Sequence, residues 1–294
     1  MSYTTEQLAA DVRALGIKPG DALMVHSSLK SIGWVDGGPE AVIDAFLSVI
    51  GADGIMFMPT LTATIASADW DEMRKFAYDP AETPSRVGKI TDTFWRRPDA
   101  FRSGHPSHSL AAVGKNAEEL VKHHGLDATT FAKEGPYGAY VKLNATIVFI
   151  GTGMGCNTTL HVAEDWAELP YMDQNAKARV KTPDGEKEVP LRMSPNGHRS
   201  FYASDENNPA VKLLYKLGLV TEGKLGDAKV QMVKAQDVIN TMMKTYYEGD
   251  PAFLLCRKDD CAFCKKGVAA CAEQLPRIRK TIEGLVEAGW CSID

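Results

Sequence analysis

Short apolar segments alternate with amphipathic segments along most of this 294-residue chain, and this alternation is the feature that most constrains its fold. Residues 22–26 and 54–59 are apolar runs of the length typical of buried strands. Residues 39–51 have helical periodicity, begin with proline and end with glycine, which are common boundaries of a helix. The pattern predicts the α/β class, in which helices pack against a central sheet.

The same alternation recurs along the rest of the chain. Further segments with strand or helix patterns are residues 4–16, 110–114, 145–151, 158–169, 208–218, 231–247 and 273–288. No Pro/Ser-rich linker divides the sequence, so we expect residues 1–294 to form a single domain.

Two segments break the alternation. Residues 177–191 alternate around Pro183, Asp184 and Gly185, which predicts a β-hairpin insertion. Residues 62–86 are polar and aromatic with little periodicity, which suggests a long functional loop over a site.

The charge balance and the apolar runs exclude some classes of function. Lys and Arg number 33 against 38 Asp and Glu, a formal net charge of −5, whereas nucleic-acid binding needs a basic face. A mildly acidic surface suits a cationic ligand. There is no signal-peptide pattern and no apolar run of about 18 residues or more. We therefore expect a cytoplasmic protein that binds neither nucleic acid nor membranes.

Four of the six cysteines lie close together near the end of the chain, at Cys256, Cys261, Cys264 and Cys271. In a reducing compartment, such a group more often binds metal or stays reduced than forms disulfides. Four thiolates could complete a closed tetrahedral zinc site, so we predict a possible structural zinc in a cysteine-rich loop at residues 256–271, between two late helices. The alternative is a loop of reduced cysteines, because only Cys261 and Cys264 have a standard CxxC spacing.

A histidine follows a glycine-rich stretch and lies near the start of a predicted helix. His161 lies in the first turns of this helix, which Thr158 or Thr159 could cap. Glu164, three residues later, shares a helix face with His161 and could fix the imidazole tautomer or raise its basicity. Such a pair suits a general base. An ordinary ion pair on a helix surface is the alternative.

The turn after the first predicted strand is rich in hydroxyl groups and glycines. Ser27 and Ser28 end the strand, and Gly37 and Gly38 precede the next helix. A glycine-rich helix start can bind a phosphate, although an ordinary strand-to-helix turn is the alternative.

Several common enzyme motifs are absent from the sequence. The GxGxG spacing at residues 151–155 is not the dinucleotide-binding GxGxxG, and no P-loop lysine follows it. No GxSxG nucleophile elbow is present, which disfavours a Ser-His-Asp hydrolase. Cys156 beside the glycines is expected to pack under a tight turn rather than to act as a nucleophile.

Four segments in their order and spacing resemble a known family. They are VHSSLKSIGWVDGGPEAVIDAFL, MPTLT, RSGHPSHSLAAVG and GPYGAYVKLNATIVFIGTGMGCNTTLHVAE. Together they resemble the aminoglycoside 3-N-acetyltransferase family, and the resemblance covers nearly the whole chain. Its most specific parts are HSSL, the HP of RSGHP, and TTLHVAE.

The resemblance implies a fold, a reaction and a set of site residues. The fold is a three-layer α/β/α sandwich with a central mixed sheet, and the reaction moves acetyl from acetyl-CoA to the 3-amino group of a 2-deoxystreptamine aminoglycoside. His161 matches the catalytic base and Glu164 its partner, and we assign Asp205 to the acidic residue that helps organise this histidine. The implied CoA contacts are Ser27, Ser28, Leu29, Gly33, Val35, Gly38 and Ser109.

The chemistry of such a transfer agrees with these residues. An amine that is protonated at pH 7 must lose a proton as its nitrogen attacks the thioester, and His161 could accept that proton. Backbone N–H groups of residues 27–29 could stabilise the oxyanion, and no acyl-enzyme is required.

The acceptor is the part of the assignment with the most alternatives. Acidic residues between 66 and 82 could meet its ammonium groups or form a solvated loop, and Glu206 is a further candidate. The candidates in the first segment are Asp69, Asp71, Glu72, Asp79 and Glu82. An antibiotic acceptor would make the protein a resistance enzyme. The alternative is a CoA-dependent N-acyltransferase of the same fold that acts on a non-aminoglycoside amine.

The sequence is compatible with a monomer and with a homodimer.

Overall fold

The computed structural model describes residues 2–62, 77–125, 129–172, 175–192, 205, 207–258 and 260–294. The strands are β1 (Ser2–Tyr3), β2 (Ala22–Ser27), β3 (Trp34–Val35), β4 (Ile55–Pro59), β5 (Phe101–Arg102), β6 (Leu110–Gly114), β7 (Thr146–Ile150), β8 (Asn175–Thr182), β9 (Gly185–Arg192), β10 (Thr221–Leu225) and β11 (Ala228–Lys234).

Helices connect most of these strands. They are α1 (Thr5–Ala14), α2 (Leu29–Ile32), α3 (Gly38–Ile50), α4 (Lys89–Phe94), α5 (Ala117–Val121), α6 (Pro136–Lys142), α7 (Thr159–Trp166), α8 (Pro209–Lys216), α9 (Ala235–Lys244), α10 (Ala262–Glu273) and α11 (Leu275–Glu287). A 3₁₀ turn at Met154–Cys156 precedes α7, and a π-helical turn at Thr245–Gly249 follows α9.

Within the described residues, seven strands form the central sheet in the order β10-β11-β7-β2-β4-β6-β5. In the middle of the sheet, β2 runs parallel to both β4 and β7, and the outer pairs are antiparallel. The sheet is therefore mixed, as expected. The parallel centre brings the carboxyl ends of β2 and β7 side by side, which is where ligand sites form in α/β sheets.

Helices cover both faces of the sheet, because side chains alternate between the faces along each strand. On β2, Leu23 and Val25 pack in the core cluster that contains α1 and α3, whereas Met24 packs in the cluster that contains α6, α7 and α9. The two clusters on opposite faces confirm the predicted three-layer architecture.

The sequence located most of the elements correctly. The predicted hairpin forms as β8 and β9, which turn at Pro183 and Asp184. The predicted helix at residues 273–288 is α11, but a separate helix, α10, ends just before it. Because α10 covers Ala262–Glu273, the cysteine-rich segment is not a loop throughout, and that prediction is wrong.

The hairpin contacts the end of the segment predicted as a long loop. Tyr78 N–H donates to the Arg179 carbonyl over 2.8 Å, and Lys181 N–H donates to the Tyr78 carbonyl over 2.7 Å. Residues 63–76 of that segment lie outside the described residues. Among the helices that are described, none has the length and apolar character needed to cross a membrane.

Candidate active site

His161 and Glu164, the two catalytic candidates that lie three residues apart, are also in contact in the structure. His161 is the third residue of α7, and its Nδ1 lies 2.7 Å from Glu164 Oε2. His161 is 7% exposed and Glu164 is fully buried, so the pair is not a solvated surface ion pair. A carboxylate oxygen only accepts, so Nδ1 carries a hydrogen and the neutral imidazole keeps its lone pair on Nε2. This is the tautomer that a general base requires.

Two residues that the sequence did not single out support this pair. Tyr171 OH donates to Glu164 Oε1 over 2.9 Å, so each oxygen of the buried carboxylate accepts a hydrogen bond. The Phe131 ring stacks on the imidazole of His161, with 6.0 Å between ring centroids. Phe131 is thirty residues before His161, and Tyr171 follows the end of α7, so helical spacing alone does not predict either contact.

The environment of His161 differs from that of the other buried histidines. Burial lowers the pKa of His26 and of His124 to about 4, so both rings stay neutral near pH 7. Burial also lowers the pKa of His105 well below its ordinary value. Among the buried histidines of the described residues, His161 is the one paired with a carboxylate.

The start of α7 is capped differently from the prediction. Neither Thr158 nor Thr159 caps it with its side chain; Asn157 Oδ1 accepts a hydrogen bond from Thr159 N–H over 3.0 Å. Asn157 is itself buried, so its side chain fixes the direction in which the helix starts.

The glycine-rich loop binds the carboxylate of Asp205, a residue of the same chain. Asp205 accepts hydrogen bonds from the N–H groups of Met154 and Gly155 at 3.1 and 3.0 Å, and from Gln231 Nε2 at 3.0 Å. It makes no hydrogen bond to His161 in the described structure. Asp205 therefore organises the histidine at most indirectly, by holding the loop that leads into α7.

The glycine loop and the turn after β2 are in direct contact. Ser31 Oγ shares its one hydrogen between Ser28 Oγ at 2.9 Å and the Gly151 carbonyl at 3.3 Å. Gly151 has a φ of +63°, and a Cβ at this position would lie 2.3 Å from Ser31 Cβ. The close approach therefore requires glycine at residue 151.

A cleft of about 900 Å³ opens at this turn. It is lined by Ser27, Ser28, Leu29, Lys30, Gly33, Trp34, Val35, Asp36, Gly37, Gly38, Gly88 and Lys89. Six of the seven predicted CoA-binding residues are in this lining. The buried Ser27 hydroxyl has no hydrogen-bond partner among the described residues.

Two predictions, the CoA contact of Ser109 and the use of the Ser28 N–H group for an oxyanion, differ from the structure. Ser109 is fully buried away from the cleft, where its hydroxyl donates to the Thr60 carbonyl over 2.9 Å and Arg102 Nε approaches it. Ser28 N–H donates to the Ile150 carbonyl over 2.8 Å, because β2 and β7 continue their pairing there. This N–H group is therefore committed to the sheet and does not serve an oxyanion.

Two of the six predicted acceptor-binding carboxylates belong to the described residues. Asp69, Asp71, Glu72 and Glu206 lie outside the described residues. Asp79 and Glu82 are described, and Lys181 of β8 approaches them at 3.5 and 3.2 Å. These two carboxylates face the hairpin and already have a cationic partner.

Three of the four clustered cysteines come together. The sulfur atoms of Cys256, Cys261 and Cys264 all lie within 4.8 Å of one another. Cys271 is not part of this group; it lies on α10 in the hydrophobic core, where burial raises the pKa of its thiol to about 12. Of the four predicted ligands, the structure therefore brings three together and leaves Cys271 apart from them.

Sequence comparisons agree with the geometry. A family model described as aminoglycoside 3-N-acetyltransferase matches residues 24–246. The aminoglycoside N(3)-acetyltransferase IV of Salmonella sp is 30% identical over 241 residues, covering 81% of this chain and 85% of that protein. The aminoglycoside N(3)-acetyltransferase III of Acinetobacter baumannii is 30% identical over 271 residues, covering 84% and 92%.

Solved structures show the same fold. The aminoglycoside acetyltransferase AAC(3)-IVa superimposes with a TM-score of 0.75 at 26% identity, covering 92% of this chain and 97% of that one. A complex of a variant of that enzyme with a gentamicin gives a TM-score of 0.77 at 26% identity, covering 92% and 98%. The AAC-IIIb complex with CoASH gives 0.70 at 25% identity, covering 81% and 94%.

The fold and these matches define the chain as an acyltransferase. It belongs to the aminoglycoside 3-N-acetyltransferase family.

Proposed function

We propose that this enzyme transfers acetyl from acetyl-CoA to the 3-amino group of a 2-deoxystreptamine aminoglycoside and thereby confers resistance to it. The observation that carries the proposal is the buried His161–Glu164 pair, at 2.7 Å, in a chain whose relatives are named for this reaction. A solved neighbour that binds a gentamicin and another that binds CoASH support the two substrates.

His161 acts as the general base through Nε2. The amine attacks the thioester carbonyl carbon, Nε2 takes the proton that leaves the nitrogen, and the C–S bond breaks as the tetrahedral intermediate collapses. Glu164 holds Nδ1–H and stabilises the imidazolium that forms, and Tyr171 keeps the carboxylate in place. Asp205 acts on the loop before α7 and positions the base rather than reacting.

Transfer is direct, without an acyl-enzyme. Cys156, the cysteine closest to His161 in sequence, donates from Sγ to the Gly153 carbonyl over 3.2 Å. Burial raises the pKa of its thiol to about 11, so it stays protonated at neutral pH and is a poor nucleophile. The order of events is therefore binding of both substrates followed by a single transfer.

Acetyl-CoA binds in the cleft at the turn after β2. Lys30 and Lys89 form no ion pair within the described part of the chain, so their ammonium groups are available to phosphates. The first N–H groups of α3, at Gly38 and beyond, add a partial positive charge. Trp34 is 75% exposed at the same cleft, as expected for a ring that an adenine covers.

We expect Trp34→Ala to raise the KM for acetyl-CoA about tenfold with little change in kcat, because stacking of a base on an aromatic ring contributes about 1–3 kcal/mol. Trp34→Phe should keep most of the affinity. Steady-state kinetics with acetyl-pantetheine, which lacks the adenosine, provide the control: wild type and Trp34→Ala should then be equal. An equal loss with both thioesters would contradict the stacking role.

The proposed reaction is tested by the release of CoA thiol from acetyl-CoA. Purified enzyme is assayed alone, with a panel of 2-deoxystreptamine aminoglycosides, and with a panel of simple arylamines and polyamines. We expect release that depends on an aminoglycoside. Release only with the other amines would overturn the acceptor and favour the alternative N-acyltransferase, and release without any amine would indicate a hydrolase.

A further inference from the structure

The end of the chain carries a group of thiols that the transfer reaction does not use. Cys256 follows the turns after α9, Cys261 immediately precedes α10, and Cys264 lies in the first turn of α10. All three are unoxidised, and their sulfur atoms lie within 4.8 Å of one another. The hydrogen bonds of Cys264 link it to the side chains of both other cysteines.

The geometry of this group is close to that of a metal site. In a tetrahedral zinc site with Zn–S bonds of about 2.3 Å, sulfur atoms lie about 3.8 Å apart. Small rotations of three side chains therefore suffice to reach it. The backbone of Cys256 also forms a hydrogen bond with the Cys264 sulfur. Cys261 and Cys264 have the CxxC spacing of zinc-binding turns.

The charge around the group is suited to a thiolate centre. Three thiolates and one Zn²⁺ sum to a net charge of −1, which basic side chains can balance. The sequence places Arg257, Lys258, Lys265 and Lys266 beside the three cysteines against Asp259 and Asp260, a net positive balance, and Arg257 itself pairs with Asp250.

We propose that Cys256, Cys261 and Cys264 bind a zinc ion that ties the start of α10 to the preceding turn, and that Cys271 is not a ligand. On binding, each thiol gives up its proton to solvent and its sulfur bonds to the metal. Three protein sulfurs leave one coordination position for a nitrogen or oxygen donor.

The site has a structural connection to the acid–base pair. One turn after Cys264, Gly267 packs so closely that a Cβ there would lie 2.7 Å from Leu255 Cδ1 and 3.4 Å from Tyr171 Cβ. Tyr171 in turn donates to Glu164. A zinc ion that fixes the start of α10 would therefore stabilise the surface against which Tyr171 packs. This consequence rests on the proposed function, whereas metal binding itself does not.

The metal is measured directly on the full-length enzyme, purified under reducing conditions without chelator. We expect about one zinc per chain by elemental analysis, and X-ray absorption should show three sulfur neighbours and one nitrogen or oxygen neighbour. Cys264→Ser should lower zinc content at least about tenfold. Cys271→Ser and Cys291→Ser are matched controls and should keep the metal.

Three results would overturn the proposal. The first is wild-type enzyme that contains no metal and takes up none from a zinc solution. The second is a disulfide between any two of the three cysteines in enzyme kept under reducing conditions. The third is a four-sulfur site that is lost in Cys271→Ser. Because these readouts do not depend on turnover, they stay decisive even if no aminoglycoside is acetylated.

The connection to catalysis has its own test. Removal of zinc by a chelator should lower kcat while the KM for acetyl-CoA stays unchanged, since the CoA cleft is formed by distant residues of β2 and α3. Added zinc should restore the rate. An equal rate in the zinc-free and zinc-bound enzyme would show that the metal stabilises only the end of the chain.

Discussion

His161→Ala should reduce kcat for aminoglycoside acetylation by about 10²–10⁴-fold, the range typical for loss of a general base. The substitution removes the group that accepts the proton from the attacking amine, so the nitrogen must lose it to water. The CoA cleft is formed by β2, α2 and α3 and does not include His161, so the KM for acetyl-CoA should stay near its wild-type value. Steady-state CoA release at saturating aminoglycoside measures both quantities.

The control for this variant is another buried histidine. His124 Nδ1 lies 2.9 Å from Ser103 Oγ and its Nε2 lies 3.0 Å from the Thr130 carbonyl, so both ring nitrogens are used in structural hydrogen bonds. His124→Gln should lower the melting temperature of the enzyme and leave kcat near its wild-type value. If His161→Ala keeps more than about a tenth of the wild-type kcat, the base assignment is wrong.

Glu164→Gln should also lower kcat, by on the order of 10²-fold. The carboxylate accepts from two donors, Tyr171 OH and His161 Nδ1–H, whereas the amide offers one acceptor oxygen and one NH₂ group. If the NH₂ group faces Nδ1, the imidazole must hold its hydrogen on Nε2, and the lone pair needed by the amine is lost. The pH dependence of kcat, measured beside wild type, reports this change.

Tyr171→Phe is the matched control for the glutamine variant. It removes one donor to Glu164 and leaves the His161–Glu164 contact, so we expect less than about a tenfold loss of kcat. In the double variant, the amide oxygen is free to turn towards Nδ1–H, and activity should recover relative to Glu164→Gln alone. A double variant that is less active than either single variant would contradict the competition between the two donors.

The sequence predicted the elements that have strong local signals. The proline and glycine at the ends of α3, and the apolar runs of β2, β4 and β7, placed the centre of the sheet correctly. His161 and Glu164 were identified because both lie on one helix, where a spacing of three residues fixes their contact. The turn after β2 was also identified from local sequence, because its hydroxyl-bearing residues and glycines lie close together along the chain.

The parts that the sequence missed depend on contacts between distant segments. Tyr171 reaches Glu164 because the chain turns back after α7, and Asp205 reaches the glycine loop from beyond the hairpin. Ser109 lies in a motif with Arg102, yet the pairing of β6 with β4 turns its hydroxyl towards Thr60 and away from the cleft. Cys271 has a plausible spacing for a ligand, but α10 carries it into the core.

The most direct test of the account is the position of the new acetyl group. Enzyme, acetyl-CoA and an aminoglycoside that supports CoA release are incubated to completion, and the purified product is analysed by two-dimensional NMR. We expect a single acetyl group on the 3-amino nitrogen of the 2-deoxystreptamine ring. An acetyl group on a different amine, or no acetylated product from any member of the panel, would contradict the proposed reaction.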